Sequence, residues 1–424
     1  MELKRRNFLH LTTLAVGTIA MNSCTPSKEH SPEAPTEKLK PMTDNVIPIT
    51  SEERKGRIEK AQRLMVESKI EALVLDAGTS LEYFTGISWW PSERPLVAII
   101  PARGEVKYVC PGFEESRLHE LITIGKDVYA WQEDESPYKQ IINALKDNGI
   151  RSGNIGMEER LRFFIFDGIR KEASYLNYVS GDPVSAECRL IKSPAELALM
   201  QIANDVTVAA MKIGISSLEE GMSPQDFSDI VSNAHIQLGA TPDFAGVNFG
   251  PASAFPHGST QPQKLKRGDI VLMDCGGKVG GYSSDVSRTI VFGAEPTPRQ
   301  LEIWNLEKKA QAAGFAAAKL HSACENVDAA ARKVLTDAGF GPDYKLPGLP
   351  HRTGHGIGMD GHEWGNMVRG NKQLLKPGMC FSIEPNISIV GEFGVRLEDC
   401  VYMTEEGPKW FTQPSGSINE PFVG

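Results

Sequence analysis

The chain has 424 residues, 41% hydrophobic and 23% charged, a balance that fits a soluble globular protein of roughly two to three domains. Its 45 Lys and Arg stand against 54 Asp and Glu, and the formal charge of −9 excludes a nucleic-acid or other polyanion partner, which would need clustered cations to displace counterions. Low hydrophobicity of the kind that keeps a chain disordered is confined to about the first fifty residues.

The start, "MELKRRNFLHLTTLAVGTIAMNSC", sets Lys4, Arg5 and Arg6 before an apolar run from Phe8 to Met21 that is too short to span a bilayer as a stable helix. Residues 1–24 are expected to be a removable export signal. The paired arginines resemble a twin-arginine signal, whose pathway carries folded proteins. "MNSC" is similar to a lipoprotein cleavage box, although Met21 and Asn22 match it poorly, so two readings stand: a lipid on Cys24, or a thiol lost with a signal cut elsewhere. Either way the expected location lies across a bacterial inner membrane, periplasmic or held to the membrane through lipid alone. Residues 25–51, rich in Pro, Ser, Thr, Glu and Lys, read as a flexible tether.

From residue 52 the pattern becomes regular. Ile58, Ala61, Leu64 and Met65 have helical spacing, and the apolar run Ala72 to Leu75 reads as a buried strand. "LVAIIP", "VKYVCP" and "GNIGMEE" continue the alternation, so residues 52–186 are expected to form a smaller α/β domain. "KSPAELALM" then carries a helix start, with Ser193 as cap, Pro194 in the first turn and Glu196 closing a capping box. The device recurs at Ser223 and Thr297. Strands such as "DIVLMDCGG" and "MCFSIEPNISIV" are joined by short glycine turns and not by crossover helices, which predicts antiparallel sheet covered by helices over residues 187–424 and an α+β fold class. Cysteines 110, 188, 275, 324, 380 and 400 show no C-x-x-C spacing and are expected as buried free thiols, with Cys275 and Cys400 as packing residues.

Two hairpins carry chemistry. In "MDCGGKVGGYSSDVS" a turn centred near Val279 and Gly280 would set Asp274 opposite Asp285. In "SIEPNISIVGEFGVRLEDC", Glu384 and Glu398 each lie seven residues from Gly391. Either pair alone reads as well as solvated acids. Facing carboxylates repel, however, and burying them is costly unless a cation neutralises them. The loop "HRTGHGIGMDGHE" adds three of the nine histidines. Four carboxylates and an imidazole are the ligands for two divalent ions about 3.5–4 Å apart, and an oxygen-rich set favours Mn, Fe or Co. Gly354, Gly356 and Gly358 are expected to let the backbone approach the metals and to adopt dihedrals closed to other residues.

Together "D-x-G", "G-Y-x-S-D-x-x-R-T", "G-H-G-I-G-x-x-x-H-E", "E-P" and "R-x-E-D" cover most of residues 187–410 and resemble the pita-bread metallopeptidases, which include methionine aminopeptidase, prolidase and Xaa-Pro aminopeptidase. The α/β domain before them and "LEYFTGISWW" resemble the prolidase and Xaa-Pro aminopeptidase branch, with its creatinase-like N-terminal domain. The resemblance implies a pita-bread domain and a peptidase for Xaa-Pro bonds in dipeptides or at peptide N-termini, with two divalent metal ions, manganese first and cobalt, iron or zinc as the other candidates. It implies that Asp274 binds one metal, Asp285 and Glu398 bridge, and His355 and Glu384 hold the second, Glu384 also accepting a proton from the attacking water. His257, His351 and His362 would contact substrate and tetrahedral intermediate, and Arg396 would support the ligands or meet a substrate carboxylate. The chain departs from the family at "EPNIS", where Asn386 replaces a usual glycine and no tyrosine follows. A creatinase-like amidohydrolase and a non-catalytic binding protein are the rival readings. Trp89 and Trp90 in "WWPSERP" suggest a reach into a partner subunit of a homodimer.

Overall fold

The computed structural model describes residues 39–423, so the expectations for an export signal and for Cys24 fall outside the described residues. Residues 39–50, read above as the end of a tether, are in fact laid onto the body. Met42 N donates to the Leu238 carbonyl at 2.8 Å and Ile49 is buried. The first helix follows at once, Ser51–Ser68, capped by the Thr50 hydroxyl.

The N-terminal part is built on a six-stranded sheet: β1 Ile70–Asp76, β2 Val97–Pro101, β3 Lys107–Pro111, β4 Asp127–Trp131, β5 Asn154–Met157 and β6 Asn177–Ser180, in the order β4-β3-β2-β1-β5-β6. β1 pairs antiparallel with β2, and β2 with β3, while the other neighbours are parallel. Because helices cover both faces, β2 and β3 are buried along their whole length, which is why they read as unbroken apolar runs.

The C-terminal part is antiparallel throughout. One sheet joins β7 Thr241–Phe249, β8 Ile270–Val279, β9 Tyr282–Ser283 and β10 Val286–Val291. A second joins β11 Gly354–Gly356, β12 Glu363–Met367, β13 Cys380–Ile383, β16 Asp399–Thr404 and β17 Gly407–Trp410, and β14 Asn386–Ile389 pairs with β15 Phe393–Arg396. The helices Pro194–Ser216, Pro224–Gln237 and Pro298–Ala317 open with the capping boxes expected at Ser193, Ser223 and Thr297. The six cysteines of the described residues are free and buried.

One hydrophobic core runs from Ile58 and Leu73 in the first part to Leu199 and Val286 in the second. Polar contacts cross beside it. Arg57 donates to the Tyr282 hydroxyl at 3.1 Å and lies 3.6 Å from Glu196, and Thr79 Oγ1 donates to Asp360 at 2.7 Å. The second part's histidine loop is therefore held from the first.

Candidate metal centre

The first hairpin turns at Gly280 and Gly281, both with positive φ, and not at Val279 and Gly280. The residue opposite Asp274 is consequently Ser287, not Asp285. Asp285 sits two residues from Ser287 and, by the two-residue period of a strand, on the same face as Asp274, so the carboxylates still converge, diagonally. The second hairpin is as expected. Asn386 pairs with Arg396 and Ile383 with Asp399, a register centred on Gly391 that sets Glu384 opposite Glu398. A bridge between Ser287 and Glu398 joins the two hairpins.

The glycines of "GHGIG" act differently from the expectation. None of Gly354, Gly356 and Gly358 has positive φ. They are needed because neighbours press on them: a Cβ would strike the Ser382 carbonyl at Gly354, the Trp364 carbonyl at Gly356 and, at 2.6 Å, the Glu363 carboxylate at Gly358.

The five expected ligands meet. His355 Nε2 lies 3.3 Å from Glu384, 3.5 Å from Asp285 and 4.0 Å from Glu398. Ligand atoms of Asp274, Asp285 and Glu398 form one group, and those of His355, Glu384 and Glu398 another, each within 4.8 Å. His362 groups likewise with Asp285 and His355. His355 Nδ1 is 3.1 Å from the Gly356 carbonyl, which can only accept, so the proton sits on Nδ1 and the Nε2 lone pair faces the acids. Glu398 Oε2 takes a hydrogen bond from Ser287 at 2.7 Å, whereas its buried Oε1 has no protein partner. A buried acceptor of that kind, among converging carboxylates, fits a divalent cation.

Burial and mutual repulsion push Asp285 and Glu398 well above the usual carboxylate range, and burial raises Glu384 to about 7. Burial holds His355 well below its ordinary value, in the neutral form a metal needs. Arg396 is buried, bonded to Asp274, 2.9 Å from Ser287 Oγ and 3.4 Å from the Pro256 carbonyl. These bonds place Arg396 in support of the ligands, the first of its two expected roles.

All nine expected site residues line one cavity of about 320 Å³: the five ligands, His257, His351, His362 and Arg396. Arg352 lines it too and was not foreseen. Its Nη2 donates to His362 Nδ1 at 3.1 Å, which leaves the proton of His362 on Nε2 as a donor. His351 is the reverse. Its Nδ1 donates to the Arg352 carbonyl at 2.7 Å, so its buried, unpartnered Nε2 is an acceptor, and burial lowers its pKa to about 3. His351 thus turns an Nε2 lone pair to the cavity and His362 an Nε2–H, both in position for the expected contacts with substrate and tetrahedral intermediate.

A second unforeseen group is the ion cluster behind the loop. Glu363 is bound by Lys192 at 2.9 Å and Arg189 at 2.5 Å, and Arg189 also meets Asp360 at 2.6 Å. Glu363 stands inside the motif "GHGIGMDGHE", but its partners lie more than 170 residues away in sequence.

A metallopeptidase family M24 model matches residues 198–405, and a creatinase/prolidase N-terminal domain model matches residues 57–191. The chain is 34% identical to an uncharacterized peptidase of Schizosaccharomyces pombe, over 86% of this chain and 82% of the relative. It is 31% identical to a Xaa-Pro dipeptidase of Lactobacillus delbrueckii, over 85% and 98%. A crystal structure of prolidase from Thermococcus sibiricus superimposes with a TM-score of 0.78 at 30% identity, over 85% of this chain and 97% of that one. The fold and the site define a metal-dependent hydrolase of pita-bread architecture. The chain belongs to metallopeptidase family M24, in the branch with a creatinase-like N-terminal domain, and is a peptidase.

Proposed function

We propose that the chain hydrolyses Xaa-Pro bonds with two divalent ions, manganese first, with Asp274, Asp285, His355, Glu384 and Glu398 as ligands. The orphaned Glu398 Oε1 among overlapping ligand groups carries the two-metal part. The dipeptidase and prolidase relatives support the substrate. The complete ligand set speaks against a creatinase-like or non-catalytic reading.

What bound cations supply here is polarisation of the scissile carbonyl and a more acidic water. The chain's residues do the rest. Glu384 accepts the proton of the attacking water and returns it to the proline nitrogen, which leaves as a secondary amine. His362 Nε2–H, fixed by Arg352, donates to the oxygen that gains charge. His351 Nε2 accepts from the substrate, and Arg396 holds Asp274 in place.

The test is release of proline from Ala-Pro and of alanine from Ala-Pro-Ala by the Mn²⁺-loaded full chain, with Asp285→Ala as control. Cleavage by the wild type alone supports the reading, and the preferred peptide separates dipeptidase from aminopeptidase. Two bound Mn²⁺ with neither peptide cleaved would point to another amide substrate.

We further propose export, with Cys24 as the site of a lipid, from the opening residues. A homodimer is proposed from Trp90, which is 86% exposed. Trp89, by contrast, is half-buried under Arg117, so only one of the pair is free to reach a partner. Native mass for Trp90→Ala equal to that of the wild type would remove that residue from an interface.

A further inference from the structure

The segment that carries His351 has no ladder of its own. Gly348 bridges to Ser388, β11 begins at Gly354, and Leu349 to Thr353 between them belong to no helix or strand. Backbone groups in such a stretch must find partners elsewhere or stay unpaired in the interior. Here a single buried pair of side chains supplies several of them.

The helix Glu325–Asp337 carries Asp328 and Arg332 one turn apart, both buried. Arg332 Nε donates to Asp328 at 2.9 Å. Its Nη1 donates to the Leu349 carbonyl at 2.9 Å and to the Asp343 carbonyl at 2.7 Å, and its Nη2 donates to the His351 carbonyl. The other Asp328 oxygen accepts twice from Thr353, from the amide at 3.1 Å and from the hydroxyl at 2.8 Å. The guanidinium thus holds the main chain at His351 and two residues before it, and its carboxylate partner holds it two residues after.

A buried ion pair is weak evidence of added stability, because apolar side chains of similar volume often serve as well. What this pair positions is more telling. The His351 ring is tied through Nδ1 to the Arg352 carbonyl, so its unpartnered Nε2, in the catalytic cavity, goes where the main chain at 351 goes. Lysine would keep the charge of Arg332 but has no planar fork to reach three carbonyls and a carboxylate at once.

We propose that Arg332 is a positioning residue for His351: from the helix behind, its guanidinium fixes the His351 main chain and so aims Nε2 at the substrate. This inference rests on the reading of His351 as a substrate contact given above.

The test is a double-mutant cycle in the full, Mn²⁺-loaded chain. Arg332→Lys, His351→Ala and the double variant are compared with the wild type by kcat/KM on Ala-Pro and Ala-Pro-Ala. Arg332→Lys is expected to lower kcat/KM about tenfold or more, as a displaced substrate contact does, with Mn²⁺ stoichiometry unchanged. In the His351→Ala background the same change is expected to cost less than about twofold, because the contact it serves is already gone. Equal losses in both backgrounds overturn the proposal, since Arg332 then acts on the fold at large. So does wild-type kcat/KM in Arg332→Lys, or a loss of bound Mn²⁺.

A second readout needs no turnover. Nitrogen NMR of isotope-labelled histidine in the metal-free chain, with the His351 ring assigned by its absence in His351→Ala, should show the Nδ1–H tautomer in the wild type and lose that single form in Arg332→Lys. An unchanged ring signal overturns the proposal. Full activity of His351→Ala refutes His351 as a substrate contact, and cleavage of neither peptide by the wild type refutes the Xaa-Pro reading; in both cases the spectra decide separately on Arg332. If Arg332→Lys does not fold, Asp328→Asn, which keeps an acceptor for Thr353 and sets an N–H against Arg332 Nε, takes its place with the same outcomes.

Discussion

Glu363→Gln keeps the shape of the side chain and removes its charge, leaving Arg189 and Lys192 buried with Asp360 as the remaining acid beside Arg189. Burial alone would raise the Glu363 carboxyl, but Lys192 and Arg189 outweigh it and hold the group down to about 2. Set against an ordinary glutamate near 4.3, that difference corresponds to about 3 kcal/mol, in line with the cost of breaking a buried ion pair. No discount for solvent applies, because the three side chains are only 1–2% exposed. A depressed carboxyl contributes its stability in full above the unfolded-state value and loses it as pH falls through the folded one. Urea unfolding of metal-stripped wild type and variant should therefore differ by about 3 kcal/mol at pH 7, and the gap should close between about pH 4 and pH 2. Because Asp360 N donates to Glu363 at 3.2 Å and His362 is its chain neighbour, kcat/KM should also fall by about tenfold or more. A gap below about 1 kcal/mol, or one that is the same at pH 3 as at pH 7, would refute the assignment of this stability to the ion cluster.

Asp285, Glu384 and Glu398 have the opposite linkage. Their raised values mean that the folded, metal-stripped protein keeps protons the unfolded chain has lost, so its stability should fall as pH rises from about 4 towards 7. Melting temperatures from pH 5 to 8 should slope downward in chelator and flatten in Mn²⁺; equal slopes would contradict the site. Ser193→Ala removes the cap of the helix Pro194–Ser216 and a 2.7 Å bond to Glu53, and should cost about 1 kcal/mol in urea unfolding with Mn²⁺ affinity unchanged.

The second hairpin was legible because its three-residue turn, Val390 to Glu392, centres on one glycine and the register keeps that centre on both sides, so counting outward from Gly391 set Glu384 against Glu398. The first was harder. Gly276, Gly277, Gly280 and Gly281 offer several turn centres, and the positive φ that selects Gly280 and Gly281 is invisible in the letters. Capping boxes were legible because their three-residue spacing is local. The cluster around Glu363, the 2.8 Å hydrogen bond that Thr353 Oγ1 donates to Asp328 and the Arg352 contact that fixes the His362 tautomer depend on how distant or folded-back segments meet, which no local pattern encodes. Residues 39–50 misled in the other direction: their polar composition reads as tether, yet a few backbone bonds and Ile49 suffice to dock them.

The hairpin centred on Gly391 also dictates where the chain tolerates changes of length. A one-residue insertion between Glu384 and Ile389 would turn every side chain between it and one end of the strand to the opposite face and part the two glutamates. At the tip, Val390 is 58% exposed and a Cβ on Gly391 would meet nothing within 4 Å. Extra residues there lengthen the turn while both strands keep their pairing. An epitope or fluorophore-bearing segment inserted after Gly391, with that glycine and its φ of +91° kept, would thus report on the enzyme with its ligand spacing intact.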